Sequence, residues 1–462
     1  MLMNLRDISP ILNAADDRKT VILYEGERFT YSELKKKINE TCSDMKNFIK
    51  EGDRVIIRLS NTPESIIQVY AIGKLGGISV PISPSLKSRE IHDIANDVHA
   101  NVTISEAGGN IIDLDDELHL SEDAAMIFYT SGTTGKPEGI VHTKDTILTT
   151  CRAEGEILGI QKDDVIGGTP PLSFTYGFGA LAVIPFLFEA TTSLSQYKPS
   201  QKNIQQILKT IERDQITVFY SSPTTYRLML KMPKEHDLTS LRLLITAGET
   251  MGTGLYHRLK MFLPHAEIIE HLGCTESFHA IISNIPGNVK PGSLGLELPC
   301  YQAKILCGDG KECPPGVFGK LAFRGPAGRH LEKTEMKEWN YTGDIAYRDS
   351  EGYIWYVSRS DDLIKTAGYL VSPHEIENVL MEHPAVSDVV VIGVADSMIG
   401  QRIKALAVLL DNFTPSKDLK EDLIEFLRGQ IAEYKIPQDI EFVESIPKSN
   451  RGKMLRKRIL TD

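Results

Sequence analysis

Short apolar runs alternate with amphipathic stretches at helical spacing through about the first 315 residues, and this constrains the fold more than any other feature of the chain. Val55–Ser60 reads as a strand, Thr62–Leu75 as a helix stopped by Gly76-Gly77, Ile78–Ile82 as a strand and Leu86–Ala100 as a helix. The pattern resumes with Ala124–Tyr129, a helix near Thr146–Leu158, Thr217–Tyr220, Pro223–Lys231, Leu241–Thr246 and Ile268–Glu270. Alternation of this kind predicts an α/β fold with parallel, doubly wound sheet. After about residue 315 the texture changes. Val317–Arg324 and Tyr341–Val357 read as short strands joined by Gly-Asp and Glu-Gly turns, the mark of antiparallel sheet. Arg359-Ser360-Asp361-Asp362 then interrupts the apolar pattern, and a compact α+β unit follows. In it Ser372-Pro373-His374-Glu375 reads as a capping box, Val386–Val394 and Ile403–Leu410 as strands, and Leu419–Ile431 as a helix. The expected division is 1–360 and 361–462.

Composition narrows the function. With 51 basic and 62 acidic residues the formal charge is −11, the wrong sign for a general nucleic-acid binder. No run of about 18 apolar residues exists to cross a membrane, and Arg, Asp and Pro interrupt the N-terminal stretch before a signal-peptide core forms. A cytoplasmic location is expected. The six cysteines, Cys42, Cys151, Cys274, Cys300, Cys307 and Cys313, match neither a small secreted framework nor the close pairs of a zinc site, so all six are expected to be reduced.

The segment with the most chemistry is Tyr129–Gly139. Thr130, Ser131, Gly132, Thr133, Thr134, Gly135 and Lys136 set three glycines, Gly139 included, among four hydroxyl residues and a lysine after a strand. Glycines let successive N–H groups curl toward an anion, hydroxyls add donors, and lysine supplies charge. It is not the Walker loop: Thr130 stands where the first glycine belongs, and Pro137 follows the lysine.

This loop resembles the phosphate-binding signature of the adenylate-forming superfamily, which holds acyl- and aryl-CoA synthetases, adenylation domains and luciferases. Five further segments are similar to that family, in its order: Ala247-Gly248-Glu249, Gly273-Cys274-Thr275-Glu276, Tyr341-Thr342-Gly343-Asp344, Arg359–Lys365 and Pro447–Lys453. Leu172–Gly179, Cys274–Asn284 and Arg359–Pro373 most resemble benzoate-CoA ligases. The resemblance implies a large N-terminal domain of doubly wound sheets plus a distorted β-barrel, and a small mobile C-terminal domain carrying the catalytic lysine. It implies ATP, Mg²⁺ and coenzyme A, an acyl-adenylate, pyrophosphate release and a thioester product.

Residue by residue, the resemblance makes Lys453 the group that bridges the attacking carboxylate and the α-phosphate, stabilising charge in the transition state. Glu276 fits the single carboxylate Mg²⁺ takes beside phosphate oxygens, with Thr275 a phosphate donor; an ordinary helix-start carboxylate is the alternative. Asp344 and Arg359 match ribose contacts. Gly248, Glu249, Glu270, His271 and Leu272 match adenine contacts, with Glu270 where Asn or Asp is frequent. Glu138 stands where the family often has a second lysine, and the chain between Phe323 and Tyr341 is short.

Phe174, Thr175, Tyr176, Ser222, Gly248, Leu272, Gly273, Phe278 and His279 match pocket positions of aryl-acid ligases. Core packing is the alternative for Phe174 and Phe278, and a satisfied core histidine for His279. Amino-acid-activating relatives carry an aspartate where this chain has Thr175, and no carboxylate occurs between Pro170 and Phe188, so a buried α-ammonium would lack its partner. Asp361 matches the hinge and Gly368 the glycine that lets a pantetheine arm pass. Pantetheine belongs to coenzyme A and to acyl carrier proteins alike, so a stand-alone enzyme loading a carrier protein is the alternative. A nucleotide-binding protein without catalysis is the alternative of a different class.

Overall fold

In the computed structural model the chain builds four sheets; it describes residues 6–13, 16–105, 108–111, 120–130, 137–232, 235–331, 338–396, 398–410 and 412–446. The first sheet has nine strands, in the order Leu296–Glu297, Ala280–Ser283, Glu267–Gly273, Leu243–Thr246, Val218–Ser221, Val165–Gly168, Thr191–Leu194, Thr20–Tyr24, Glu27–Thr30. From Glu267–Gly273 to Thr20–Tyr24 every pairing is parallel, and the two ends are antiparallel. The second has seven strands, ordered Arg329–His330, Glu138–Thr143, Ala124–Thr130, Ile78–Ile82, Arg54–Arg58, Val102–Ser105, Gly108–Ile111, again parallel in the middle.

Alternate residues of each strand go to opposite faces, and the cores follow that period of two. Val218, Tyr220, Leu243, Ile245 and Ile269 join Val55 and Ile57 of the other sheet in one central core. Their neighbours Phe219, Leu244 and Ile268 turn outward under helices Ile204–Asp214, Pro223–Leu230 and Thr253–Phe262. Ile56 faces outward with Ile78, Val80 and Ile82. Both faces of both sheets are buried, which is the doubly wound arrangement expected.

The antiparallel unit consists of four hydrogen-bonded strands, Gln302–Leu306, Gly319–Arg324, Asn340–Arg348 and Ile354–Arg359, plus the bridge Gly295↔Ile354 that ties it to the end of the nine-stranded sheet. Beyond it, helices Pro373–Glu382 and Lys417–Arg428 cover strands Val386–Asp396 and Gly400–Leu409 around a core of their own. Thr253 Oγ1 donates to Glu382 Oε1 at 2.7 Å and links this unit to the large one.

Two details differ from expectation. Ser372 caps its helix by accepting from Glu375 N–H at 3.4 Å, but the Glu375 carboxylate turns to Lys435 instead of closing the box. Cys307 and Cys313 are joined as a disulfide, which corrects the expectation of six reduced cysteines. The turn Cys307–Lys311 folds the chain back so that Cys313 N–H reaches Ile305 O, and the two Cα atoms come to 5.3 Å, within bonding reach. Cys42, Cys151, Cys274 and Cys300 are free.

Candidate active site

Parallel strands that end together bring their following loops together, and ligands in such sheets gather at the carboxyl ends. In the nine-stranded sheet, Ser221, Thr246 and Glu270 lie in register, and Gly168, the last residue of its strand, sits one step back, opposite Tyr220. Beyond Gly168, Ser221 and Thr246 come in turn Phe174, Thr175 and Tyr176, then Ser222, then Gly248 and Glu249; His271 to Gly273 end the fourth strand, and Cys274 to Glu276 follow it. Phe174, Thr175, Tyr176, Ser222, Gly248, Leu272 and Gly273 thus come from the ends of four neighbouring strands.

Their side chains divide. Gly248 and Gly273 are exposed, Leu272 and Ser222 are half-buried, and Thr175 is 7% exposed at the start of helix Thr175–Phe178. Gly273 has to be glycine because a Cβ there would sit 2.0 Å from His279 O. Phe278, by contrast, is fully buried against Phe128 and His142, and His279 lies in the core behind the loops. Both nitrogens of His279 have partners inside the protein: Nδ1 meets Glu154, and Nε2 lies 3.0 Å from Tyr176 O. His271 points into the same cluster, its Nδ1 3.4 Å from Glu154 Oε1. Burial lowers the His271 pKa to about 4, against the pull of Glu154. Burial alone would raise the Glu154 carboxyl, but the imidazoles of His279 and His271 outweigh it and hold it below its usual value. The Tyr176 ring rests on both histidines and on Tyr220. The residues with the most conspicuous chemistry on this loop thus support the pocket from behind.

Glu270 also turns inward. It is 6% exposed and accepts from Met251 N–H at 2.9 Å, so it fixes the loop that carries Gly248 and Glu249. Burial pushes its carboxyl up to about 7, only partly offset by the Met251 N–H and the Arg227 charge. Glu249 is held by Thr224 Oγ1 at 3.1 Å and by Arg227 Nη1 at 3.4 Å.

The turn Thr275-Glu276 is clamped through its backbone. His142 Nε2 lies 2.9 Å from Thr275 O, Gly328 N–H donates to Glu276 O at 2.7 Å, and Tyr301 Oη donates to Ser277 O at 2.9 Å. Burial drives the His142 pKa down to about 3, so at neutral pH the ring is uncharged and Nε2 is the donor. The clamp leaves the Glu276 side chain 25% exposed, and His330 stands between it and Glu138, 3.9 Å from Glu276 Oε1 and 3.1 Å from Glu138 Oε2. One accessible carboxylate on a rigid turn fits a Mg²⁺ ion that takes its remaining ligands from phosphates and water. Through His330 the turn neighbours Glu138, which pairs with Thr130 where the described strands Ala124–Thr130 and Glu138–Thr143 meet. Ser131, Gly132, Thr133, Thr134, Gly135 and Lys136 lie outside the described residues, and so does Lys453.

Asp344 was expected in a turn; it lies inside strand Asn340–Arg348. Thr342, Gly343 and Asp344 bulge out opposite Leu321, with Gly343 at φ +79°, and the ladder resumes at Ile345. A bulge re-aims a side chain without ending the strand. Asp344 Oδ1 thereby meets Arg359 Nη1 at 2.9 Å, so the two expected ribose contacts stand side by side. Asp361 is exposed in the turn that follows, and Gly368 at φ +84° is the exposed tip of hairpin Ile364–Val371.

The model of the AMP-binding enzyme family matches residues 13–329, and that of the AMP-binding enzyme C-terminal domain matches 375–453. The chain belongs to the AMP-binding enzymes. It is 29% identical to an acetyl-coenzyme A synthetase of Bacillus subtilis over 93% of this chain and 84% of that one. It is 34% identical to a benzoate–CoA ligase of Thauera aromatica over 72% and 65%. Among solved structures, an anthranilate CoA ligase in complex with anthranoyl-AMP superposes with a TM-score of 0.90 at 29% identity, over 100% of this chain and 98% of that one. The adenylate-forming CoA ligases use ATP, Mg²⁺ and coenzyme A, and the activity of this chain is ATP-dependent ligation of a carboxylic acid to coenzyme A through an adenylate. Among the described residues no helix is long and apolar enough to cross a membrane.

His142, His330, Glu154 and Arg227 are site residues that sequence reasoning missed. Each works through a partner outside its own element; His142 and Thr275 are 133 residues apart, and Arg227 and Glu249 are 22 apart. For His330 the signal was present, in the charged stretch after Gly328.

Proposed function

We propose that the acid is an uncharged aryl acid or a short aliphatic one, and that free coenzyme A is its acceptor. The observation that carries this is Thr175, a buried hydroxyl at the pocket's first loop, in a segment with no carboxylate from Pro170 to Phe188. An α-ammonium placed there would be desolvated without a counter-charge, at a cost of several kcal/mol. Relatives that act on benzoate, anthranilate and acetate support the same range of acids.

The site residues take these roles. Glu276 holds Mg²⁺, which when bound neutralises the phosphates as pyrophosphate leaves; the phosphate loop and Thr275 orient the chain of phosphates; Asp344 and Arg359 hold the ribose. Lys453 approaches the α-phosphate during adenylation, and the unit 361–462 turns about Asp361 so that a pantetheine thiol can reach the same carbonyl. Exposure of Asp361 between two separate cores supports a joint at that point.

Pyrophosphate release with a panel of carboxylic acids tests the pocket. Benzoate-like or short aliphatic acids should react, and brisk turnover of a standard α-amino acid would end the argument from Thr175. Repeating the panel with free coenzyme A and with a phosphopantetheinylated carrier protein separates the acceptors. For the joint, Lys453→Ala should abolish adenylation yet leave thioester formation from supplied acyl-adenylate, whereas Asp361→Pro should do the reverse. Equal loss of both steps in both folded variants would exclude the rotation.

A further inference from the structure

A second groove, of about 350 Å³, lies between helices Pro223–Leu230 and Thr253–Phe262 and is closed on one side by Ser387 and Leu410 of the small unit. Its charged lining is Arg227, Lys231 and Arg258, with no acidic residue, in a chain of formal charge −11. Arg258 is half-buried, its Nε is buried without a hydrogen bond, and among the described residues no acidic side chain pairs with it. Arg227 Nε is buried and unbonded as well, and the nearest carboxylate to that guanidinium is Glu249, on the side of the loop after Thr246. Burial and the neighbouring Arg227 charge both lower the Arg258 pKa. Arg227 already has Glu249, but Arg258, a like charge beside it withdrawn from water with an unused donor, is expensive unless an anion meets it. Guanidinium groups meet phosphate oxygens two donors at a time. Leu230, Met261 and Phe262 add an apolar wall beside the cations.

We propose that this groove binds a phosphate monoester joined to an apolar or planar body, the phosphate on Arg258 and Lys231 and the body against Phe262. Because the walls come from both units, the occupant favours the arrangement in which they touch, by as much as it prefers that arrangement over others. The phosphate can belong to coenzyme A itself, a case that rests on the function proposed above, or to a separate phosphorylated ligand.

The test compares the wild type with Arg258→Gln and Lys231→Gln, neither residue belonging to the catalytic site. Thermal melting is measured in inorganic phosphate and in chloride at equal ionic strength. Phosphate should raise the melting temperature of the wild type and leave both variants unmoved; in chloride, Arg258→Gln should melt at or above the wild type, since an unpaired cation has gone. An equal phosphate response in all three, no response in the wild type, or a lower melting temperature of Arg258→Gln in chloride overturns the proposal. KM for coenzyme A and for 3′-dephospho-coenzyme A then identifies the source. If coenzyme A supplies the phosphate, the wild type should prefer it roughly tenfold, and Arg258→Gln should lose that preference. If the preference is unchanged while the melting response is lost, a separate ligand supplies it. The melting arm needs no turnover, so it stands even where the chain proves to use another acceptor.

Discussion

Glu154 and Glu276 each face histidine, and they differ in their access to water. Glu154, His271 and His279 have side chains exposed by 0%, 1% and 0%, with Tyr220 and Tyr176 around them. Glu276, His330 and Glu138 are exposed by 25%, 29% and 39%. In the dry cluster Glu154 and His279 are met by one another, by Tyr220 Oη, by Ala280 N–H and by Tyr176 O, with no water exposure, so their geometry is fixed and they hold the pocket wall in place. In the wet cluster water already competes for every charge, so a metal ion or a phosphate can replace a partner at little cost. The same two residue types thus make a strut in one place and, in the other, a solvated cluster of the kind the proposed Mg²⁺ site needs.

The largest effect expected is on the strut. Glu154→Ala leaves His279 buried without its partner, and breaking a buried pair costs about 3–5 kcal/mol. The denaturation midpoint should fall accordingly, with Glu154→Gln intermediate because it retains an acceptor. A midpoint near that of the wild type for Glu154→Ala would show that water reaches the cluster.

Glu270, on the strand that carries His271, sharpens the contrast because it is dry but unpaired by a close charge. Its carboxyl is raised from 4.5 to about 7 in the folded protein. The unfolded chain therefore releases its proton first, and stability is lost as pH rises from about 4.5 to about 7, by roughly 3 kcal/mol at full ionisation. Glu270→Gln should remove that slope while retaining the acceptor for Met251 N–H. Urea midpoints at pH 5 and pH 8 for both proteins check it; equal slopes mean that Glu270 is ionised and solvated at neutral pH.

On the wet side, Glu276→Gln should leave the urea midpoint unchanged and slow adenylation by about 100-fold, as loss of a charge stabiliser at the reacting phosphates does. The amount of Mg²⁺ needed for half-maximal rate should rise. An unaltered Mg²⁺ titration would return Glu276 to the role of an ordinary turn carboxylate.

What could be read from the sequence follows the same division. The sheets were legible because strands such as Val218–Ser221 are buried on both faces and alternate with helices of clear period. The loops at their ends were legible because glycine, hydroxyl and acidic residues occur there in fixed order. The struts were not. Glu154 sits in the helix Lys144–Ile157 as one acidic residue among several, and only the fold brings it to His279, 125 residues away. Gly343 announced a turn at Asp344, but hydrogen bonds to the strands on both sides resume beyond it, and the outcome is a bulge. Cys307 and Cys313 gave no sign of bonding because their closeness depends on the reversal at Gly310.

The smallest effects test whether the wet cluster is as loose as its exposure implies. Exposed ion pairs contribute about 0–1 kcal/mol, so Glu138→Gln and His330→Gln should each leave the urea midpoint within that range. Their consequence should appear in metal binding instead. At 3.9 Å from Glu276 Oε1, His330 is near enough to compete with Mg²⁺ for that carboxylate yet too far to hold it by a hydrogen bond. His330→Gln should therefore reduce the Mg²⁺ needed for half-maximal adenylation by a few-fold, with kcat at saturating Mg²⁺ nearly unchanged. Glu138→Gln should act the other way, since His330 loses its partner 3.1 Å away and turns more fully to Glu276. Opposite shifts from two neighbours at constant stability are what a ligand site in water should show. A drop in stability comparable to that of Glu154→Ala would mean instead that the wet cluster is a second strut, and that exposure does not separate the two.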